Sequence, residues 1–245
     1  MARAHRHFIP GHIWHVTHRC HKGEFLLKFA KDRHRWLQWL YQARKRYGLV
    51  ILNYGVTSNH IHLLVYDAYG DHTISKSIQL VAGRTAQEYN QRKNRKGAFW
   101  EDRYHATIIE DGEHLLRCVV YIDLNMVRAG VVDHPEQWMQ SGYNEIQKPR
   151  RKCILIDQES LRRLAGFDDY GSFQVSHRKW VDSSTTGPIQ RRESHWTQAI
   201  AVGSQLFVSS VKKKLNDRAK GREIIASKHG SELRESVIPY NALFS

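Results

Sequence analysis

Two histidines, His60 and His62, are the residues of this sequence whose type and spacing most directly indicate chemistry. They lie one residue apart in an apolar run that continues through Ile61, Leu63 and Val65. In a β-strand, residues i and i+2 point to the same face, so the imidazoles would project side by side while the apolar residues enter a core. Such a pair either binds a divalent metal or lies on a solvated sheet face, and the pair alone does not decide between the two.

A tyrosine and an asparagine four residues apart form the second chemical feature. Tyr121 and Asn125 share a helix face if residues 112–127 are helical, because positions i and i+4 lie one above the other. The Asn125 side chain offers a carbonyl oxygen as a third ligand beside two imidazole nitrogens. Oxygen and nitrogen donors without a thiolate are a set that suits Mg²⁺ or Mn²⁺. The alternative makes Tyr121 an ordinary residue of an amphipathic helix.

The segments around the histidines alternate between strand and helix patterns. Hydrophobic spacing predicts strands at 13–17, 49–56, 60–66 and 104–109, and helices at 31–47 and 74–90. The resulting βαββαβ order is typical of the ferredoxin-like arrangement, an antiparallel sheet with its two crossover helices on one face. We therefore predict an α+β fold to which the tyrosine-bearing helix at 112–127 is added, with Gly130 as the signal that ends this helix.

The chain is predicted to divide near residue 132. Residues 1–132 carry the histidine pair and the tyrosine helix and form the predicted catalytic domain. Residues 133–245 have a looser pattern and are predicted to form a basic, mostly helical C-terminal extension of unknown role. Within it, helices are predicted at 158–164 and 196–215, with a polar stretch at 183–188 that is typical of a loop or linker.

The composition indicates nucleic acid as the partner. The chain has 38 Lys and Arg against 24 Asp and Glu, a formal net charge of +14, which favours binding to a polyanion. No apolar run approaches the roughly 18 to 20 residues of a membrane-spanning helix, so a membrane partner is not expected. The three cysteines lack a C-x-x-C spacing, which favours a reduced, cytoplasmic environment. Three histidines cluster around Cys20, at 15, 18 and 21, but their spacing fits no closed zinc pattern.

Four landmarks in the first part of the chain resemble a known enzyme family. They are the stretch WHVTHR at 14–19, the histidine pair, the stretch FWEDRYH at 99–105, and the helix motif Y-I-x-x-N-x-V-R-A-G at 121–130. In this order they resemble the single-tyrosine HUH transposases, and most of all the REP-associated tyrosine transposases. The resemblance covers about the first 130 residues. Met126 stands where the family usually has a proline, at a position that holds no catalytic atom.

The resemblance implies a site and a reaction. His60 and His62 would bind the metal, Asn125 would be an additional ligand, and Tyr121 would be the nucleophile that attacks a DNA phosphodiester. As in the family, the products would be a 5′-phosphotyrosine adduct and a free 3′-hydroxyl, which can later rejoin DNA without ATP. The implied substrate is single-stranded or hairpin DNA, including repetitive extragenic palindromic (REP) elements. Related enzymes occur as monomers and as homodimers.

Basic side chains are the candidate DNA contacts. They are the dense run near the end of the second helix and two residues that flank the presumed site: Arg92, Lys93, Arg95, Lys96, Arg103 and Arg128. Each either binds backbone phosphate or is simply solvated. Two alternatives to the enzyme stay open. One is a hairpin DNA-binding protein, descended from such transposases, that does not cleave. The other is a basic RNA-binding protein whose histidines are structural.

Overall fold

In the computed structural model of this chain, the described residues are 9–68, 70, 72–149, 151–185, 193–227 and 230–235. Within these ranges one sheet has seven strands in the order β2-β3-β1-β4-β5-β7-β6. The strands are β1 (Ile13–Arg19), β2 (Val50–Val56), β3 (His60–Tyr66), β4 (His105–Ile109), β5 (Ala201–Gly203), β6 (Arg222–Ser227) and β7 (Gly230–Glu235).

Nine α-helices accompany the sheet in the described part of the chain. They are α1 (Ala30–Tyr47), α2 (Thr73–Arg92), α3 (Glu113–Asp123), α4 (Asn125–Arg128), α5 (Gly142–Gln147), α6 (Gln158–Leu164), α7 (Tyr170–Thr185), α8 (His195–Gln198) and α9 (Gln205–Leu215). Among these helices, none is both long enough and apolar enough to cross a membrane.

The first four strands and first two helices have the predicted order, β1-α1-β2-β3-α2-β4. Strand β1 lies between β3 and β4 and pairs antiparallel with both, while β2 pairs antiparallel with β3. This is the ferredoxin-like arrangement, so the predicted α+β fold is confirmed. Helix α1 ends as its sequence indicates, with Gly48 in the left-handed region at φ 69° and its N–H bonded to the Arg44 carbonyl at 2.9 Å.

Strands β1, β3 and β4 carry a group of polar side chains on one face of the sheet, which we call the polar face. In the antiparallel ladders Thr17 lies opposite His62, and His15 lies opposite Thr107. Residues directly opposite each other share a face, so these four polar side chains lie on one side of the sheet. The alternate residues of β3 lie on the other side and are buried; they are Ile61, Leu63 and Val65. The predicted separation of the histidines from the apolar residues of β3 is thus present.

Helix α3 packs on the polar face, where a glycine makes room for it. Gly55 of β2 is paired with His62 of β3. A Cβ atom at Gly55 would lie 3.3 Å from Cγ2 of Ile122, closer than ordinary contact. The missing side chain therefore lets the helix that carries Tyr121 approach the sheet next to His62.

A buried polar network fixes α3 against its neighbours. Asn53 of β2 donates to the Val119 carbonyl at 3.2 Å and to Oδ1 of Asp123 at 3.1 Å. Nε2 of His177, on α7, lies 2.8 Å from Oδ2 of Asp123, and the Gln147 amide lies 2.8 Å from Nδ1 of His177. Because an amide nitrogen only donates, His177 accepts at Nδ1 and donates to Asp123 from Nε2. Buried polar groups that are all bonded define one orientation, so this network sets the rotation of α3.

The single helix predicted at 112–127 is wrong in one detail. Helix α3 ends at Asp123 and α4 begins at Asn125, because Leu124 between them has ψ 3° and leaves the helical conformation. Hydrogen bonds continue across the break, from Leu124 N–H to the Val120 carbonyl at 3.0 Å and from Arg128 N–H to the Leu124 carbonyl at 2.9 Å. The interruption is therefore local.

The C-terminal part departs further from prediction. Helix α6 lies at the predicted 158–164, but the single helix predicted at 196–215 is wrong, because β5 separates α8 from α9. Ala201 pairs with Ile108 of β4 on one side and with Leu233 of β7 on the other, and this long-range pairing overrides the local helical pattern. Residues 183–185 of the predicted linker belong to α7, and residues 186–188 lie outside the described residues.

The chain after residue 132 covers both edges of the four-stranded core. Strand β5 pairs parallel with β4 at one edge. At the other edge, Ser141 forms a bridge with Gly55 and Ile156 forms a bridge with Ile51. Segments that pair with an edge leave fewer backbone groups there for association with other chains. The boundary at 132 stays a prediction.

Candidate active site

His62 lies within a buried row of hydrogen bonds. Its Nε2 is 2.9 Å from Nδ2 of Asn125, and its Nδ1 is 2.9 Å from Nε2 of His15. The Nδ1 of His15 is 2.8 Å from the carbonyl oxygen of Trp196. The carbonyl can only accept, so His15 donates to Trp196 from Nδ1, and His62 donates to His15 from its own Nδ1. Both imidazoles are then neutral, and the lone pair of His62 is on Nε2.

His15 is a further residue of the site, and the sequence pattern alone predicts no role for it there. It is fully buried, and burial lowers its pKa to about 3, so it stays neutral at physiological pH. The pairing of β1 with β3 places it on the face of His62, one strand away. The signal that could have found it is the predicted fold itself, since β1 lies next to β3 in a ferredoxin-like sheet.

His60 is oriented by the short connection that precedes it. Its Nδ1 lies 2.8 Å from Oδ1 of Asn59 and 3.0 Å from Oγ1 of Thr57. The Thr57 hydroxyl donates to the His60 carbonyl at 2.9 Å, so its oxygen accepts from the ring. The Nδ1 atom of His60 therefore carries the hydrogen and Nε2 carries the lone pair, as in His62. The two ring centroids are 4.9 Å apart.

Tyr121 lies beside the histidines. Its ring centroid is 5.9 Å from that of His62 and 6.2 Å from that of His15, and the residue is 5% exposed. The guanidinium of Arg128 lies 4.2 Å from the centre of the Tyr121 ring and donates to the Tyr121 carbonyl at 2.5 Å. The Trp196 ring is 6.0 Å away on another side. The structure thus brings Tyr121, Asn125 and Arg128 to His62.

The donor set fits a divalent cation. Among the described residues no three His, Cys, Asp or Glu side chains are grouped so as to hold a metal, and the set here is two histidines and an amide. His60 and His62 both carry their lone pair on Nε2, and each has its Nδ1–H bonded to an acceptor, as metal-binding histidines usually do. A half-turn of the Asn125 amide would present its oxygen instead of its nitrogen on the side of His62 Nε2.

Two residues of the predicted basic run form ion pairs with α1 and the segment before it. Arg92 forms an ion pair with Asp32 in the first turn of α1, and Arg95 forms one with Glu24, before α1, at 3.3 Å. The other predicted contacts in this part are exposed; they are Lys93, Lys96 and Arg103. DNA binding by these five residues and by Arg128, which lies against Tyr121, stays a prediction.

The cluster around Cys20 does not converge on one point. His15 faces the site, while His18 on the opposite sheet face stacks on Trp100 with ring centroids 4.1 Å apart and bonds the Asp102 carbonyl at 2.7 Å. His105, on β4, lies 3.1 Å from the Ala199 carbonyl. These contacts give His18 and His105 structural partners.

Comparison with known proteins gives a family match and a structural match. Residues 11–125, which include the histidine pair, Tyr121 and Asn125, match the family model described as IS200-like transposase. The structure is similar to a REP-associated tyrosine transposase bound to a REP hairpin, with 19% identity, a TM-score of 0.50, and coverage of 59% of this chain and 84% of that one. A transposase structure from Deinococcus radiodurans R1 has 15% identity, a TM-score of 0.33, and coverage of 42% and 83%. No curated protein matches the sequence.

The family match and the geometry concern the same segment of the chain. Residues 11–125 contain the whole ferredoxin-like core, the histidine pair and the tyrosine helix. At 19% identity the structural match is a finding about the fold. The predicted resemblance is confirmed: over residues 11–125 the chain resembles the IS200-like transposases, and its fold is similar to that of a REP-associated tyrosine transposase.

Proposed function

We propose that this chain is a DNA transposase that cleaves and rejoins single-stranded or hairpin DNA through Tyr121, with Mg²⁺ or Mn²⁺ bound by His60, His62 and Asn125. The observation that carries the proposal is the contact of Asn125 with His62 across 63 positions, with the Tyr121 ring 5.9 Å from His62. A phenol, two imidazole lone pairs and an amide on one polar sheet face are the groups that such a reaction needs.

The proposed substrate is hairpin DNA with single-stranded flanks. The structurally similar REP-associated transposase is bound to a REP hairpin, and this chain has the same fold and a formal net charge of +14. A positive chain attracts the phosphate backbone independently of sequence. REP-like palindromes are therefore the first substrates to test.

Each side chain has a distinct role in the proposed reaction. His60 and His62 hold Nε2 toward the cation, and a divalent cation bound there would polarise the scissile phosphate. The Tyr121 oxygen attacks phosphorus in line, so that a tyrosine–phosphorus bond forms and the bond to the 3′-oxygen breaks. The phenol proton balances the charge of the departing 3′-oxygen, which becomes a hydroxyl. The guanidinium of Arg128, 4.2 Å from the Tyr121 ring, places positive charge where the phosphate approaches.

The test is covalent capture of DNA. Labelled REP-like hairpin DNA incubated with the protein and Mn²⁺ should give a protein–DNA adduct that survives denaturation. Tyr121→Phe should abolish the adduct and keep hairpin binding, because only the phenol oxygen is removed. Tyr41→Phe on α1 is the matched control and should form the adduct normally.

The alternative to the enzyme is a protein that binds hairpin DNA without cleaving it. In that case the wild-type chain would bind the hairpins in a salt-sensitive manner and form no adduct with any of them. Salt-sensitive binding alone does not separate the two, since both make phosphate contacts.

A further inference from the structure

A cavity of 430 Å³ borders Tyr121 on the side formed by α3, α7 and α8. Its described walls include Tyr121 and Arg128 but none of the three proposed metal ligands. The cavity is therefore distinct from the metal site, and the tyrosine ring is common to both. We call it the Tyr121 cavity.

The walls of the Tyr121 cavity combine flat aromatic rings with aliphatic side chains. The indoles are those of Trp180, on α7, and Trp196, on α8. The Trp196 indole is nearly fully buried, and its N–H donates to Glu193 at 2.7 Å, which fixes the plane of the ring. The aliphatic wall is one side of α3 and its continuation: Leu116, Val120, Leu124 and Val127.

Polar groups of both signs lie around this apolar interior. Arg128 supplies positive charge at the α3–α4 wall, where Arg117 is ion-paired with Glu113 at 2.5 Å, and His195 lies at the α8 wall. The Glu193 carboxylate, which already accepts from Trp196, also lines the cavity and can accept from an amino group. A ligand that fits is flat, aromatic, polar at its edge and joined to an anionic group.

A nucleobase with its phosphate has these properties. Pockets for small ligands commonly have volumes of about 300 to 1,000 Å³, so the cavity has room for one base and not for a duplex. Unpaired bases stack on aromatic side chains because every base has a π-face, whereas the bases of a hairpin stem are paired and cannot enter. The ligand that fits the cavity is therefore an unpaired base of the single-stranded flank and not a paired base of the stem.

We propose that the Tyr121 cavity binds one unpaired base of the DNA next to the phosphate that Tyr121 attacks. This inference rests on the proposed function, because it takes DNA as the ligand and Tyr121 as the nucleophile. Holding a base beside the tyrosine places the adjoining phosphate within reach of both the phenol and the histidine pair. The cavity therefore selects the position of the cleaved bond in the flank.

The experiment is a binding scan with abasic DNA. Labelled hairpins with single-stranded flanks are prepared with an abasic residue at each flank position in turn. Binding is measured by fluorescence anisotropy with Mn²⁺, in a Tyr121→Phe background that prevents covalent capture. The variants are Trp180→Ala, the conservative Trp180→Phe, and Trp39→Ala on α1 as the matched control, since Trp39 is also partly buried but lies outside the cavity.

Trp180→Ala should weaken binding of the intact hairpin roughly 10-fold, because one base loses its stacking partner. On the hairpin that is abasic at one flank position, Trp180→Ala and its parent should bind equally, which also shows that the variant is folded. Trp180→Phe should restore most of the affinity, and Trp39→Ala should have no position-dependent effect.

Two results would overturn the proposal. One is that Trp180→Ala loses the same binding affinity on every hairpin, intact or abasic. The other is that Trp180→Ala loses no affinity on any hairpin. If the wild-type chain forms the adduct but the loss caused by Trp180→Ala depends on no flank position, the cavity proposal is wrong and the proposed function stands. If the loss caused by Trp180→Ala disappears at one abasic position but the wild-type chain forms no adduct, the cavity binds a base and the proposed cleavage reaction is wrong.

Discussion

The two histidines of β3 have the same chemical role in the proposal but are held by different parts of the chain. His60 is held locally, because its Nδ1 bonds Thr57 and Asn59 in the connection just before the strand. Both partners lie within three positions of His60 in the sequence. The Asn59 side chain is in turn held by its amide, which donates to the Gly23 carbonyl at 3.2 Å.

His62 is held from far along the chain. Its Nδ1 bonds His15, 47 positions away, and His15 bonds the Trp196 carbonyl, 181 positions further on. This contact exists only when β1 has paired with β3 and the segment before β5 has packed against β1. The ring of one ligand is thus bonded by neighbouring residues and the ring of the other by distant segments, so mutations of the two supports should differ in the size of their effects.

The largest effect is expected from removing a ligand itself. His60→Ala and His62→Ala should each weaken Mn²⁺ binding by more than about 100-fold, because each deletes a donor and not only its support. Mn²⁺ titration followed by electron paramagnetic resonance measures this loss without DNA. His34→Ala, at an exposed position of α1, is the control and should bind Mn²⁺ normally. Unchanged Mn²⁺ binding in both histidine variants would show that His60 and His62 are not metal ligands.

Breaking the distant support should have the next largest effect. His15→Phe keeps an aromatic ring, of somewhat larger volume, but removes both nitrogens, so Mn²⁺ affinity should fall by about 10- to 100-fold. The free energy of unfolding should fall by about 1 to 3 kcal/mol, because His62 and the Trp196 carbonyl lose a buried partner. His15→Gln, which can both donate and accept, should recover part of the affinity. If unfolding free energy falls while Mn²⁺ affinity is unchanged, His15 is structural and does not position His62.

Breaking the local support should have the smallest effect. Thr57→Val should lower Mn²⁺ affinity by only about 3-fold and the free energy of unfolding by about 0.5 to 1.5 kcal/mol, because Asn59 still accepts from His60 at 2.8 Å. Combining it with Asn59→Ala removes both acceptors and should approach the loss caused by His15→Phe. A double variant that binds Mn²⁺ as well as Thr57→Val would mean that neither residue orients the ring.

The features that could be predicted from sequence are those encoded at short range. The alternation around His60 and His62 defines β3 at its observed bounds, and the stop signal at Gly48 ends α1 where the structure does. The spacing of Tyr121 and Asn125 survives the unpredicted break at Leu124, because hydrogen bonds continue across it.

The features that could not be predicted depend on pairing between distant segments. The sequence groups His15 with its neighbours His18, Cys20 and His21, whereas its partners lie in β3 and α8. Strand β5 has three residues inside a helical pattern, and it forms because β4 and β7 offer backbone partners on both sides. The support of Asp123 by His177 likewise joins positions 54 residues apart.

The most direct test of the central claim is to locate the DNA on the protein. Trypsin cleaves after Arg117 and Arg128, and the peptide 118–128 contains Tyr121 as its only tyrosine. Mass spectrometry of the nuclease-trimmed, trypsin-digested adduct should find this peptide carrying a nucleotide through a 5′-phosphotyrosine bond. A nucleotide on any other peptide, or on peptide 118–128 through a residue other than Tyr121, would contradict the account.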